Sequence, residues 1–97
     1  MFGPQKMTAA LDVRRKRLLF RATHRGTKEA DAIVGGFFRE VIASLPEDKL
    51  DEAEALIEES DLDMMDWVMG RLEIPAQWRN SLFDGVLEYY RRLTKHI

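Results

Sequence analysis

The chain has 97 residues, of which 45% are hydrophobic and 33% charged, and it carries a formal net charge of −2. This length suits a single domain, and the apolar content is too high for a disordered chain. The sequence lacks cysteine, which excludes disulfides and thiolate metal sites and fits a reducing compartment, and no apolar run is long enough to cross a membrane.

Charge is distributed unevenly along the sequence. Residues 1–28 contain eight basic residues and one acidic residue, whereas residues 29–73 contain three basic and fourteen acidic residues. This polarity favours a surface that docks on a protein with complementary charge. It argues against general nucleic-acid binding, because the acidic middle of the chain repels phosphate.

The first ten residues contain a glycine and a proline and show no periodicity, so 1–10 is predicted to be a flexible lead-in to a single domain over 11–97. A first helix is predicted over 12–24. Its apolar residues fall on one helical face: Leu11, Leu18, Leu19 and Ala22. The basic stretch 14–21 also resembles a mitochondrial presequence, but its helical face continues without a break into the next motif, so we assign it to the mature fold.

The clearest helical pattern covers residues 27–45 and is typical of a central helix. Its apolar residues recur as one wide stripe: Ala30, Ile33, Val34, Phe37, Phe38, Val41, Ile42 and Leu45. Gly35 and Gly36 interrupt the stripe, and each costs about 1 kcal/mol relative to alanine inside a helix. The pair predicts close approach by another helix, with a functional hinge as the alternative.

A third helix is predicted over 47–58, with Pro46 in its first turn and a capping box formed by Ser44 and Glu47. Its outward face is acidic, which is typical of a solvated surface. A short fourth helix is predicted to follow an N-cap at Ser60 and to end near Gly70. One face of this helix is predicted to pack in the core, and it consists of Met64, Trp67, Val68 and Leu72, with Met65 and Met69 beside it. Clustered methionine also suits an adaptable partner surface.

A fifth helix is predicted to begin at Pro75, which suits a first helical turn. Its apolar residues follow two lines: Trp78, Leu82, Val86, Tyr89 and Leu93 on one, and Phe83, Leu87 and Tyr90 on the other. No strand pattern and no internal repeat is present, so the sequence predicts an all-α, compact five-helix bundle.

The sequence contains no motif that predicts catalysis. It has no glycine-rich phosphate loop, no nucleophile elbow and no zinc-protease motif. His24 and His96 are distant in sequence and have no partner at metal-ligand spacing. His24, Glu29 and Asp31 are capable of acid–base chemistry, but no nucleophile or cofactor cradle accompanies them. An enzyme and a metal site are therefore both disfavoured.

The most site-like stretch is the corner between the first two predicted helices, Arg25–Asp31. Gly26 is suited to closing the first helix, and Glu29 to bonding back to the start of the second. The charges also complement the helix dipoles, so the corner has a purely structural interpretation. The alternative is a rigid, exposed donor and acceptor pair that contacts another protein.

The arrangement Arg25-Gly26-x-x-Glu29-x-Asp31 resembles the R-G-x-x-E signature of the SdhE/YgfY family, the succinate dehydrogenase flavinylation factors. The basic stretch 14–21 and the run 24–27 are similar to the α-proteobacterial branch. Further along the chain, more residues resemble the family pattern of two leucines followed by D-x-D-x-x-x-W: Leu45, Leu56, Asp61, Asp63 and Trp67.

The resemblance implies a five-helix assembly factor that binds the flavoprotein subunit of succinate dehydrogenase, and of fumarate reductase where present, and promotes covalent attachment of FAD to it. Such a factor is not an enzyme and binds no cofactor permanently. It acts as a monomer without nucleic acid or membrane insertion, in the bacterial cytoplasm or, in a eukaryote, the mitochondrial matrix.

The resemblance also makes Arg25, Gly26 and Glu29 the partner contact, with Asp31 and His24 beside them. We accordingly predict that Arg25 and Glu29 point outward and that Arg25→Ala leaves the fold intact. Two other functions fit parts of the sequence. One is an antitoxin- or adaptor-like module with an unrelated partner, and the other is a nucleic-acid binder that uses the basic first helix.

Overall fold

A computed structural model describes residues 11–95 of the chain. Within this range the chain forms five helices, which are α1 (Val13–Thr23), α2 (28–44), α3 (Glu47–Ile57), α4 (Asp61–Val68) and α5 (Ser81–Thr94). No strand occurs in that part of the chain, which confirms the predicted all-α bundle. The predicted lead-in over 1–10 lies outside the described residues, and the assignment of 11–97 to a single domain remains a prediction.

Every helix contributes buried side chains to one core. The largest fully buried residues are Phe38, Phe83, Leu18, Leu50, Leu56, Met64, Val34 and Val86. Met65, Trp67 and Val68 are also buried, which supports the core interpretation of α4. The prediction that Leu72 belongs to this face is wrong: it is 51% exposed, because it follows the turn at Gly70, where φ is +78°.

The second helix changes its winding at the glycine pair. It is α-helical over Lys28–Ala30, π-helical over Asp31–Gly35 and α-helical again over Gly36–Val41, and it ends as a 3₁₀ turn over Ile42–Ser44. The sequence does not predict this wider turn, because its apolar stripe alone is compatible with a regular helix.

Both glycines of the pair lie against neighbouring helices. A β-carbon added at Gly35 would lie 3.1 Å from the carbonyl oxygen of Ala22 in α1. One added at Gly36 would overlap the phenol of Tyr89 in α5. The close approach predicted from the glycine pair is confirmed.

A third glycine completes the contact between α2 and α5. Gly85 of α5 faces the ring of Phe37 in α2, and an added β-carbon would lie 2.8 Å from its Cε1 atom. Each helix therefore offers a glycine to an aromatic side chain of the other, Gly36 to Tyr89 and Gly85 to Phe37. This reciprocal packing lets the two helices cross at short distance.

The capping box predicted at the start of α3 is wrong. Pro46 is the N-cap residue, with extended backbone angles and no side-chain capping bond. The hydroxyl of Ser44 instead donates to the carbonyl oxygen of Val41, 3.3 Å away, at the end of α2. The N-cap prediction for Ser60 is confirmed, because its Oγ accepts a hydrogen bond from the backbone N–H of Asp63 at 3.1 Å.

The last helix starts later than predicted. After Pro75 the chain makes only a 3₁₀ turn, Ala76–Trp78, and α5 begins at Ser81. The 3₁₀ turn and α5 are distinct elements, and each is fixed by a hydrogen bond of its own. The side chain of Asn80 caps α5 by accepting from the N–H of Phe83 at 2.9 Å, and the buried indole of Trp78 donates to Glu59 Oε2 at 3.0 Å.

The basic first helix packs along the acidic third helix. Arg14 donates to Glu54 at 2.8 Å and also pairs with Asp51, while Arg21 pairs with Glu58. The hydrogen bonds from Arg14 lower the pKa of the Glu54 carboxyl from its ordinary value. The charge separation predicted from the sequence is therefore reduced on the folded surface, since opposite charges from the two segments meet.

None of the helices in the part of the chain described is long and apolar enough to cross a bilayer.

Candidate functional site

The corner between α1 and α2 is built around Gly26 and Thr27. Helix α1 ends at Thr23, and Gly26 then adopts a φ of +109°, a region that disfavours residues with a side chain. Thr27 caps α2, because its Oγ1 accepts from the N–H of Ala30 at 3.1 Å. The predicted back-bond from Glu29 to the start of this helix is wrong, because the N-cap is Thr27 and not Gly26, which places Glu29 at the second helical position instead of the third.

Asp31 holds the corner closed from inside. Its Oδ1 atom accepts a hydrogen bond of 2.6 Å from the backbone N–H of Arg25, and the residue is half-buried. This bond links the first turn of α2 to the residue immediately before Gly26. Asp31 therefore fixes the backbone of the corner.

Arg25 points inward, so the predicted outward orientation is wrong. Its side chain is only 7% exposed, and its Nε atom donates to Asp61 Oδ1 at 2.6 Å. Its two terminal nitrogens donate to the carbonyl oxygens of Ile57, at 2.7 Å, and Glu59, at 2.6 Å. The guanidinium thus satisfies carbonyls at the end of α3, which that helix cannot satisfy itself. It also pairs with the first residue of α4.

These contacts make Arg25 the connection between the corner and the α3–α4 turn. The same turn is joined to the 3₁₀ turn before α5 by the bond from Trp78 to Glu59. The corner is consequently held by the end of α3 and the start of α4, neither of which adjoins it in the sequence. Its backbone is presented on a fixed support.

The residues of the corner that remain exposed are His24, Gly26, Thr27, Lys28 and Glu29. Glu29 makes no hydrogen bond or ion pair with the other residues of 11–95. A β-carbon built on Gly26 meets no atom of the chain within 4 Å. The backbone angle at position 26 therefore requires glycine, whereas the space that a side chain would occupy there is open. Across an interface, the exposed carboxylate can accept hydrogen bonds and the N–H groups of the open backbone can donate them.

His24 belongs to the same surface but has a specific neighbour. Its ring stacks on that of Phe20, with centroids 3.9 Å apart and planes inclined by 20°. Its Nδ1 atom lies 2.8 Å from the carbonyl oxygen of Phe20. Since a carbonyl oxygen only accepts, Nδ1 carries the proton in this contact, and Nε2 remains available as an acceptor.

Sequence reasoning missed two residues beside the corner, Phe20 and Asp61. Phe20 is 60% exposed, and its spacing of four residues from His24 is the signal that predicts their contact on a helix. The sequence indicates Asp61 only as part of the D-x-D-x-x-x-W pattern and gives it no role at the corner. Its pairing with Arg25 spans 36 residues, and no local pattern reveals a contact of that range.

A protein-family model matches the part of the chain that contains this corner. The family model described as the flavinator of succinate dehydrogenase, Sdh5, matches residues 16–90, which include the corner and both segments that Arg25 connects. The chain belongs to the Sdh5 family. The resemblance identified from the R-G-x-x-E arrangement is thereby confirmed.

Named relatives of this Sdh5-family chain come from bacteria and from mitochondria. A protein of Acetobacter pasteurianus named FAD assembly factor SdhE is 40% identical over 78 residues, which cover 80% of this chain and 72% of the relative. A mitochondrial protein of Mycosarcoma maydis named succinate dehydrogenase assembly factor 2 is 32% identical over 93 residues. That alignment covers 96% of this chain and 39% of the fungal protein, so the chain spans well under half of it.

A second fungal relative, from Candida glabrata, carries the same name. It is 31% identical over 80 residues, which are 79% of this chain and 52% of that protein. No solved structure gives a significant match to the chain.

Proposed function

We propose that this chain binds the flavoprotein subunit of succinate dehydrogenase and promotes the covalent attachment of FAD to it. The family membership and the names of the relatives support this function. The observation that carries the proposal is the corner itself, where the exposed carboxylate of Glu29 stands beside the open backbone of Gly26. The chain acts as an accessory factor, and the reacting groups belong to FAD and to the partner.

The proposed partner contact differs from the one expected from the sequence, because Arg25 supports the contact surface instead of touching the partner. We assign Glu29 and Gly26 to the partner surface, with His24 at its edge. Arg25 and Asp31 position that surface from beneath, because their polar atoms are engaged within the chain. A preorganised surface loses little conformational entropy on binding, which favours affinity for a folded partner.

The remaining parts of the proposal follow from the same family assignment. The chain works as a monomer with no resident cofactor, in a bacterial cytoplasm or a mitochondrial matrix, and the fumarate reductase flavoprotein is a second client where it is present. The nucleic-acid alternative is disfavoured, because Arg14 and Arg21 of the basic helix are paired with carboxylates of α3. No contact of the described residues favours the antitoxin- or adaptor-like alternative.

Replacing Glu29 by alanine is expected to weaken binding to the purified flavoprotein subunit about tenfold while leaving the thermal unfolding midpoint nearly unchanged. The midpoint is expected to stay the same because the Glu29 side chain is exposed and makes no hydrogen bond or ion pair within the described residues. Titration calorimetry measures the dissociation constant, and circular dichroism measures the midpoint. Asp48→Ala is the matched control, since Asp48 is also an acid in the first turn of a helix, α3. Equal binding by the two variants contradicts the assignment.

Two substitutions at Gly26 separate backbone strain from the open space in front of it. Gly26→Ala and Gly26→Arg are expected to lower the free energy of unfolding by a similar amount, roughly 1–2 kcal/mol, because both place a β-carbon at a positive φ. Binding to the flavoprotein subunit is expected to fall much further for arginine than for alanine, since only the longer side chain fills the space that the partner requires. Identical affinities for the two variants show that no partner approaches Gly26.

A further inference from the structure

A groove lies beside the corner, between the end of α1 and the start of α4. It has a volume of about 310 Å³, and its lining includes Phe20, His24, Ile57 and Asp61. Arg25 forms part of its floor and connects it to the corner. The groove is thus continuous with the surface assigned to the partner, although its chemistry is different.

One wall of the groove is aromatic. Phe20 is 60% exposed, and its ring is supported on one face by the stacked imidazole of His24. The hydrogen bond from His24 Nδ1 to the carbonyl oxygen of Phe20 holds the two rings in register. The opposite face of the phenyl ring is therefore available and fixed in orientation. Such a face attracts cations through its quadrupole.

The lining of the groove also contains two acidic residues, Asp61 and Glu59. Asp61 uses Oδ1 to accept from Arg25, while Oδ2 has no hydrogen-bond partner among residues 11–95. The two basic residues of the lining are already paired, Arg21 with Glu58 and Arg25 with Asp61. Glu59 accepts only from the uncharged side chains of Trp78 and Gln77, so the negative charge left uncompensated in the groove is that of Glu59.

We infer that this groove receives an arginine side chain of the flavoprotein partner. The guanidinium stacks on the free face of Phe20 and donates to the acidic lining of the groove, which offers Asp61 Oδ2 and the carboxylate of Glu59. Arginine fits better than lysine, because its planar group combines stacking with several directed donors. This inference rests on the proposed function and adds a second contact to the one at Glu29 and Gly26.

The aromatic wall is tested with two substitutions that keep an apolar side chain at position 20. Phe20→Leu retains apolar area but removes the π face, whereas Phe20→Trp retains and enlarges it. The dissociation constant for the purified flavoprotein subunit is expected to rise roughly three- to thirtyfold for leucine. For tryptophan it is expected to stay at the wild-type value or to fall. Val13→Ala, on the same helix and 67% exposed outside the groove, is the control and leaves binding unchanged.

The acidic lining is tested with Glu59→Gln, which keeps a carbonyl oxygen as an acceptor for the indole of Trp78 but removes the uncompensated negative charge. This variant is expected to bind the flavoprotein subunit more weakly and with a smaller dependence on sodium chloride concentration. Circular dichroism checks that it is folded. Wild-type affinity for Phe20→Leu overturns the inference, as does an unchanged salt dependence for Glu59→Gln. Equal affinities for Phe20→Leu and Phe20→Trp indicate an apolar contact alone, and this result also overturns the inference.

The outcomes distinguish this inference from the function on which it rests. If Glu29→Ala loses affinity but Phe20→Leu does not, the groove inference fails and the proposed function stands. If the wild-type chain does not bind the flavoprotein subunit at all, both fail.

Discussion

Replacing Arg25 by alanine is expected to lower the free energy of unfolding by about 3 kcal/mol, and the unfolding midpoint by roughly 15 °C. The guanidinium is 7% exposed and makes three hydrogen bonds. Its removal leaves Asp61 without its ionic partner and two carbonyl oxygens unsatisfied. The estimate is at the low end for a buried ion pair, because Asp61 is 22% exposed and water can reach it in the variant.

This expectation reverses the one drawn from the sequence, in which Arg25→Ala leaves the fold intact. Circular dichroism during heating measures the midpoint. Arg21→Ala is the matched control, because Arg21 lies four residues before Arg25, near the end of α1, and forms an exposed ion pair with Glu58, worth less than about 1 kcal/mol. Equal midpoints for the two variants contradict the positioning role of Arg25. The flavinylation activity of the Arg25→Ala variant is therefore measured at a temperature below the unfolding midpoint of that variant.

Gly85→Ala is expected to destabilise the fold by roughly 1–2 kcal/mol, although alanine favours a helix by about 1 kcal/mol over glycine. The added β-carbon lies 2.8 Å from Cε1 of Phe37, whose ring is 5% exposed in the core. Neither helix can relieve this overlap cheaply, since the reciprocal contact of Gly36 with Tyr89 holds the same crossing.

A double-mutant cycle with Phe37→Leu tests this explanation. In that background Gly85→Ala is expected to cost much less, and to become stabilising if the leucine leaves enough space for the new methyl group. Urea denaturation of the four proteins gives the coupling free energy. An equal cost in both backgrounds means that Phe37 does not limit position 85, and it contradicts the packing described for α2 and α5.

The elements that the sequence predicts well are those specified by local chemistry. The apolar stripe of α2 and the hydroxyl cap at Ser60 depend on residues within a few positions of each other. The glycine pair in α2 was also interpretable, because two glycines inside a helix need compensation from a neighbour. The start of α5 was predicted too early, since Pro75 suits a helix start as well as the 3₁₀ turn that forms there.

The sequence predicts where the candidate site lies, but it does not predict which of its charged side chains point inward and which stay exposed. Local reasoning places Arg25, Glu29 and Asp31 at one corner, where all three suit the helix dipoles. It cannot reveal that Arg25 turns inward, because the groups that it binds are supplied by residues 57–61. The consequence for function is that Glu29 and Gly26 are assigned the contact, while Arg25 supports them.

The most direct test is reconstitution of flavinylation from purified components. The flavoprotein subunit of succinate dehydrogenase, prepared without covalent flavin, is incubated with FAD in the presence or absence of this chain. Covalent flavin is then measured by fluorescence of the subunit after denaturing electrophoresis. We predict a strong increase with the wild-type chain and with Asp48→Ala, and a much smaller one with Glu29→Ala. Equal fluorescence with and without the wild-type chain would contradict the proposed function.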